Sequence, residues 1–174
     1  MQLELTRYRQ PLTHFDRTFS PEDVAQPGDS YAIVAPVALE FDLHKDKEKF
    51  RLEGRTSTEL ELACSRCLEP FRLPVDAAFD LRYLPASAMS GESEAEIADD
   101  DLETSYYRDD RIDLNELLRE QFYLALPMKP LCGEGCRGLC PQCGANLNLA
   151  PCGCSPDWTD PRLAALKVIG RDKA

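Results

Sequence analysis

Eight cysteines are the residues of this chain whose type and spacing could do chemistry: Cys64 and Cys67, then Cys132, Cys136, Cys140, Cys143, Cys152 and Cys154. Thiolate is a soft donor suited to zinc, which takes four ligands, and a Cys-x-x-Cys turn places two sulfurs within reach of one ion while backbone amides point at them. Eight sulfurs therefore predict two structural zinc ions with all eight cysteines as ligands. In Cys140-Pro-Gln-Cys143-Gly144 the proline stiffens the turn and the glycine permits a left-handed step after it. Local logic pairs Cys140 and Cys143 with Cys152 and Cys154, leaving Cys64 and Cys67 to meet Cys132 and Cys136 across the fold. A rival partition puts Cys132, Cys136, Cys140 and Cys143 on one ion and the other four on the second. A single zinc with spare thiols is a third arrangement.

Competing chemistries fit less well. A redox Cys-x-x-Cys wants its first thiolate at a helix N-terminus, where the dipole lowers its pKa. Cys64-Ser-Arg-Cys67 instead follows an alternating strand pattern and precedes Leu68-Glu-Pro-Phe71. The two histidines, His14 and His44, begin neither His-x-Glu nor His-Glu-x-x-His, so zinc deaminase and zincin signatures are missing. There is no P-loop and no Gly-x-Gly-x-x-Gly. Zinc closed by four sulfurs leaves no position for water, so the expectation is a protein without catalytic residues or a small-molecule substrate. Trp158, between the last cysteine and the final predicted helix, is expected to cover the metal site.

The elements that must position these sulfurs are mostly strands. Phe50, Leu52, Gly54, Thr56, Thr58, Leu60 and Leu62 alternate with Arg51, Glu53, Arg55, Ser57, Glu59 and Glu61, the period of a half-buried strand. Val37, Leu39, Phe41 and Leu43 carry the same phase before the charged turn 44–49, so the two predict a hairpin. Phe71 to Tyr83 alternates again, which sets Cys64 and Cys67 in the turn between strands. Asp113, followed by Glu116 and the stripe Leu114, Leu117, Leu118 and Phe122, predicts a capping box and a helix over 113–126, ended by Pro127. Tyr123, Leu124 and Leu126 are expected to fill its last turns, and the helix to lie as a lid on the sheet. Asp160-Pro161 predicts a short final helix through Leu163, Leu166 and Ile169. The fold class is thus α+β: a β-rich antiparallel sheet or partial barrel covered by a helix, with a zinc-ribbon-like C-terminal segment. Two units are expected, a core at 1–126 and a Cys-rich zinc-binding tail at 127–174.

With 174 residues and mean hydropathy of -0.39, the chain predicts a soluble protein with no membrane span. The N-terminus has charge every few residues and no apolar run, so no signal peptide is expected and a reducing cytoplasm is the default, where thiols favour metal over disulfides. Net charge is -11, with 14 basic and 27 acidic side chains in residues 1–126 against 6 and 4 in the tail. All-thiolate zinc sites would deepen the negative charge. Broad attachment to phosphate is disfavoured, and a basic protein partner suits the balance better. The run 91–103 holds seven acidic residues and no basic one, and predicts a solvated loop that could attract such a partner.

Cys64-Ser-Arg-Cys67-Leu68-Glu69, Leu124-Ala-Leu-Pro-Met128, Cys136-Arg-Gly-Leu-Cys-Pro-Gln-Cys-Gly-Ala-Asn-Leu-Asn148 and Asp160-Pro-Arg-Leu-Ala-Ala-Leu166 together resemble the YceD (DUF177) family. The resemblance implies a bacterial factor needed for accumulation of large-subunit ribosomal RNA, with a gene often beside that of a small large-subunit ribosomal protein. It carries the family's Cys-x-x-Cys onto Cys64 and Cys67, and its tail cysteines onto the six from Cys132 to Cys154. Some members lack most of the tail cysteines. The expected function is therefore non-enzymatic: a zinc-binding factor in ribosome large-subunit biogenesis, supporting synthesis, processing or stability of 23S rRNA. Its expected partner is a basic ribosomal protein or a pre-ribosomal large-subunit particle, with rRNA reached through the tail. The alternatives are a zinc ribbon binding nucleic acid directly, through Arg137, Arg162, Lys167, Arg171 and Lys173, and a thiol redox protein.

Overall fold

The computed structural model describes residues 1–88, 104–154 and Arg162. The acidic run 91–103, Trp158 and the predicted final helix lie outside the described residues. In chain order the elements are β1 (Gln2–Glu4), β2 (Leu12–Phe19), α1 (Pro21–Val24), β3 (Ala32–Ile33), β4 (Val37–Asp46), β5 (Lys49–Ala63), β6 (Pro70–Pro85), β7 (Thr104–Tyr107), β8 (Arg111–Asp113) and α2 (Leu114–Ala125). The main sheet runs β2-β4-β5-β6-β7, with β3 beside the far end of β5, and β1 pairs with β8 in a second small sheet.

The expected hairpins form. β4 pairs antiparallel with β5 from Ala38↔Ser57 to Asp46↔Lys49, and β5 with β6 from Phe50↔Tyr83 to Ala63↔Pro70. The first turn is tighter than predicted. Lys47 adopts φ 56, and the strand continues through His44 and Lys45 because the Lys45 ammonium sits 5.5 Å from the Phe50 ring centre and donates to Tyr8 O at 3.0 Å. One face of β4 and β5 buries Val37, Leu39, Phe41, Leu43, Leu52 and Leu60. Thr56, fully enclosed among them, satisfies its hydroxyl by donating to Ala38 O at 3.0 Å, which a buried polar group requires. Gly54 is opposite Phe41, where a Cβ would lie 2.2 Å from Glu40 O and 2.4 Å from Phe41 Cβ. Only glycine lets β4 and β5 approach this closely. Phe41 is then clasped between Phe15, stacked at 4.6 Å, and Phe79 at 6.4 Å.

The purely antiparallel expectation is corrected, and the sheet stays open. It is mixed, because β7 pairs parallel with β6 (Arg82↔Thr104 to Pro85↔Tyr107); a parallel neighbour needs a long connection, and residues 86–103 provide one. No closed barrel forms among the described strands, since β2 and β7 end the strand path without pairing to each other.

Helix α2 lies over β6 and buries Leu114, Leu117, Leu118, Gln121 and Phe122. Asp113 caps it, its carboxylate accepting from Asn115 N at 2.9 Å. The reciprocal bond from Glu116 to the Asp113 N–H is not made; the next amide, Leu114 N–H, donates to Met1 O at 2.9 Å, so the residue before β1 supplies an acceptor that the first turn lacks. Tyr123 and Leu124 do not fill the lid as expected. Successive residues are about 100° apart around a helix, which rotates them off the stripe that ends at Phe122, and Leu124 is 79% exposed. Tyr123 O–H and Arg119 Nε instead donate to Asp29 Oδ1, at 3.3 and 2.7 Å, fastening the loop before β3 to the helix.

Candidate metal centres

The turn between β5 and β6 is built as a metal knuckle. Cys64 N donates to Glu69 O at 2.9 Å, and Leu68 N to Cys64 O at 2.9 Å. Closing this turn forces Leu68 into the left-handed region at φ 62. The second Cys-x-x-Cys repeats the pattern: Cys140 N donates to Ala145 O at 2.8 Å, Gly144 N to Cys140 O at 2.9 Å, and Gly144 has φ 72. Sequence reasoning identified the glycine step in the second turn but not its counterpart in the first, because leucine carries no signal for positive φ.

The tail reaches the first knuckle through the backbone. Ser65 N donates to Pro130 O at 2.8 Å, Leu139 N to Arg66 O at 3.2 Å, and the Arg66 guanidinium to Cys136 O at 3.0 Å. Gly138, at φ 72, lies so close to Arg66 that a Cβ would be 3.0 Å from Arg66 O. Asn148 completes the support: its Nδ2 donates to Cys136 Sγ at 3.4 Å and its Oδ1 accepts from Arg137 N at 2.7 Å. Arg66, Gly138 and Asn148 were not singled out from sequence as supports, and only the Arg-Gly within Cys136-Arg-Gly-Leu139 hinted at a special backbone.

These contacts gather the sulfurs into two sets, Cys64, Cys67, Cys132 and Cys136, and Cys140, Cys143, Cys152 and Cys154, with all sulfurs of a set within 4.8 Å of one another. That is the partition favoured by local logic; the rival grouping is not the one the fold makes. In the first set Cys64 Sγ and Cys136 Sγ are 3.7 Å apart, as are Cys67 Sγ and Cys132 Sγ. Four sulfurs about 2.3 Å from a tetrahedral zinc would be about 3.8 Å apart, so the donors present fit that ion. Cys64, Cys67 and Cys136 are buried and form a small cluster of their own with Phe71 and Leu131 packed against it, while the second set is more open to solvent.

The thiols are in electrostatic conflict with one another. Backbone N–H groups of Cys67, Cys132 and Arg66 hold Cys64 down to about 6, while the neighbouring Cys136 and Cys67 sulfurs push Cys132 up to about 12. The second set repeats the split, with Cys140 lowered to about 6 by the N–H groups of Cys143 and Gln142, and Cys154 raised to about 12 by its hydrogen bonds with Cys143 and Cys140. Four sulfurs this close cannot all ionise alone. A divalent cation removes that conflict by replacing the shared protons.

A family model described as large ribosomal RNA subunit accumulation protein YceD matches residues 52–169, from within β5 through all eight cysteines. The chain belongs to this family. Among the relatives, an uncharacterised protein of Mycobacterium tuberculosis is 33% identical over 138 residues, covering 78% of this chain and 63% of that one. A Zea mays protein, named large ribosomal RNA subunit accumulation protein YCED homolog 1, chloroplastic, is 29% identical over 146 residues, covering 70% of this chain and 49% of its own length. The Bacillus subtilis protein YlbN is 25% identical over 156 residues, with 89% and 86% covered. The chain thus spans about half the length of the maize protein and under two thirds of the mycobacterial one. No solved structure matches it. Among the described residues no helix is long and apolar enough to cross a membrane.

Proposed function

We propose that this chain is a cytoplasmic, non-enzymatic factor in large-subunit biogenesis that supports synthesis, processing or stability of 23S rRNA. The family match over residues 52–169 is the observation that carries the reading. The relative from Zea mays is named for accumulation of large ribosomal RNA, and the two sulfur sets suit a bracing role because four thiolates leave a zinc ion no open position. All eight cysteines act as ligands to two structural zinc ions. The first ion joins the core, residues 1–126, to the tail, residues 127–174, since it draws Cys64 and Cys67 from one and Cys132 and Cys136 from the other.

The partner is a basic ribosomal protein or the pre-ribosomal particle that contains it. The charge of -11 steers such an encounter, which quickens with falling salt, and the tail, richer in basic relative to acidic side chains than the core, lies nearest the rRNA. Depleting the protein should lower mature 23S rRNA relative to 16S rRNA, and tagged protein recovered at low salt should bring large-subunit precursors with it. Normal 23S rRNA and no ribosomal component in the recovered material would overturn the reading. Binding of naked RNA that collapses steeply with added salt would point instead to a zinc ribbon acting directly on nucleic acid.

A further inference from the structure

A hollow of about 490 Å³ opens between the edge strand β7, strand β8 and helix α2, and the function reading makes no use of it. Its floor includes Tyr83, only 7% exposed, whose hydroxyl makes no hydrogen bond among the described residues. That hydroxyl opens onto the hollow instead of being sealed in the core. Glu116 and Glu120 stand on the rim, one helical turn apart on α2. Like charges at that spacing destabilise a helix, and among the described residues neither has a partner in an ion pair. Burial, with Glu116 beside it, raises the Glu120 carboxyl above its ordinary range. Arg108 and Arg111 border the same space without pairing to either glutamate, and Arg111 is held by Gln2 Oε1 at 3.2 Å. Tyr106, 45% exposed, forms one wall. The nearly buried Tyr83 hydroxyl has no protein partner, the two carboxylates beside it are exposed and repel each other, and one cationic guest would answer both.

We propose that this hollow receives an arginine side chain from the basic protein partner, Glu116 and Glu120 accepting from its guanidinium, the Tyr83 hydroxyl oxygen accepting at the floor, and Tyr106 stacking on its plane. Guanidinium fits because its planar donors reach several acceptors at once and its face packs on aromatic rings. The inference rests on the function reading for the partner's identity, but the hollow's chemistry can be tested without ribosomes.

The probe is an acetylated, amidated Gly-Gly-Arg-Gly-Gly peptide, titrated into the full zinc-loaded chain and followed by amide NMR shifts. Saturable shifts should centre on Ser105, Tyr106, Glu116 and Glu120. The citrulline analogue, which keeps the shape and loses the charge, should bind at least about tenfold more weakly. Glu116→Gln with Glu120→Gln should cost about as much and Tyr83→Phe about threefold, with thermal melts checking that each variant folds. Glu22→Gln with Glu48→Gln, which removes the same charge elsewhere, should change nothing. Equal binding of the citrulline peptide, or equal loss in that last variant, overturns the proposal. If the peptide fails to bind while the chain still recovers pre-ribosomal particles, the hollow is not the receptor and the function reading stands. If the peptide binds and no particle is recovered, the function reading falls and the hollow stands.

Discussion

The two Cys-x-x-Cys turns share one hydrogen-bond pattern yet put a leucine and a glycine at the same left-handed position, which allows a stability test with opposite signs. Leu68 is at φ 62 and is 65% exposed, so its side chain contributes little packing. A left-handed conformation costs an L-residue about 1–2 kcal/mol, and glycine loses about 0.5–1 kcal/mol in extra chain entropy. Leu68→Gly should therefore stabilise the protein by about 0.5–1 kcal/mol, or about 1–4 °C in Tm for a chain of this size. Gly144→Ala should do the reverse by about 1 kcal/mol, since its φ is 72 and its new Cβ would meet nothing within 4 Å. Gly138→Ala adds crowding to the same strain. Its Cβ would press on Arg66 O at 3.0 Å, and that carbonyl is already held by Leu139 N at 3.2 Å. A loss of about 2–3 kcal/mol follows. Melting by circular dichroism with zinc present and chelator absent reads all three. If Leu68→Gly lowers Tm, or if the two glycine variants cost the same, the account of the knuckles is wrong.

Zinc analysis beside a free-thiol count should give two ions per chain; Cys64→Ser should drop this to one and free the tail to proteolysis, whereas Cys140→Ser should drop it to one with the β5–β6 turn still holding the tail. Retention of both ions in either variant would contradict the closed sulfur sets. Chelation at neutral pH should expose more thiol in the second set first, because one of its four cysteines is buried whereas three of the four in the first set are. His14, held above its ordinary value by the Asp42 carboxylate 2.8 Å away, should titrate above about 6.5; the pairing stabilises the fold below that pH and is lost as pH rises through the raised value. Asp42→Asn should bring the NMR midpoint back down, and an unchanged midpoint would remove the pairing. Gly54→Ala should unfold or strongly destabilise the protein at 37 °C, because a Cβ 2.2 Å from Glu40 O and 2.4 Å from Phe41 Cβ meets groups that no side-chain rotation can move; a near-native melt would show that β4 and β5 can part there.

The alternation in 37–43, 50–62 and 71–83 was enough to place three strands and their common face, because side chains on a strand must alternate and apolar ones must leave water. The stripe from Leu114 to Phe122 located α2 for the same reason. Its cap was legible in Asp113, but the acceptor for its first amide came from Met1 O, a residue far away in sequence. The strands β1, β2, β3, β7 and β8 were missed because in each the burial depends on a distant partner. Parallel pairing of β7 also left no local trace, since register between remote segments is set by packing and not by periodicity.

For the sulfurs, residue type and spacing determined that metal chemistry was the leading reading and that local pairing was the economical partition. Tertiary structure alone decided that Cys132 and Cys136 come within reach of Cys64 and Cys67, because that depends on Pro130, Arg66 and Gly138 docking the tail onto the β5–β6 turn. It also decided where charge becomes useful. Composition shows an acidic chain, but only folding sets Glu116 and Glu120 over the nearly buried Tyr83 hydroxyl. Spacing along a chain specifies what neighbours in a turn can bind together, whereas a site shared between remote segments exists only once backbone hydrogen bonds and a buried core have brought them into contact.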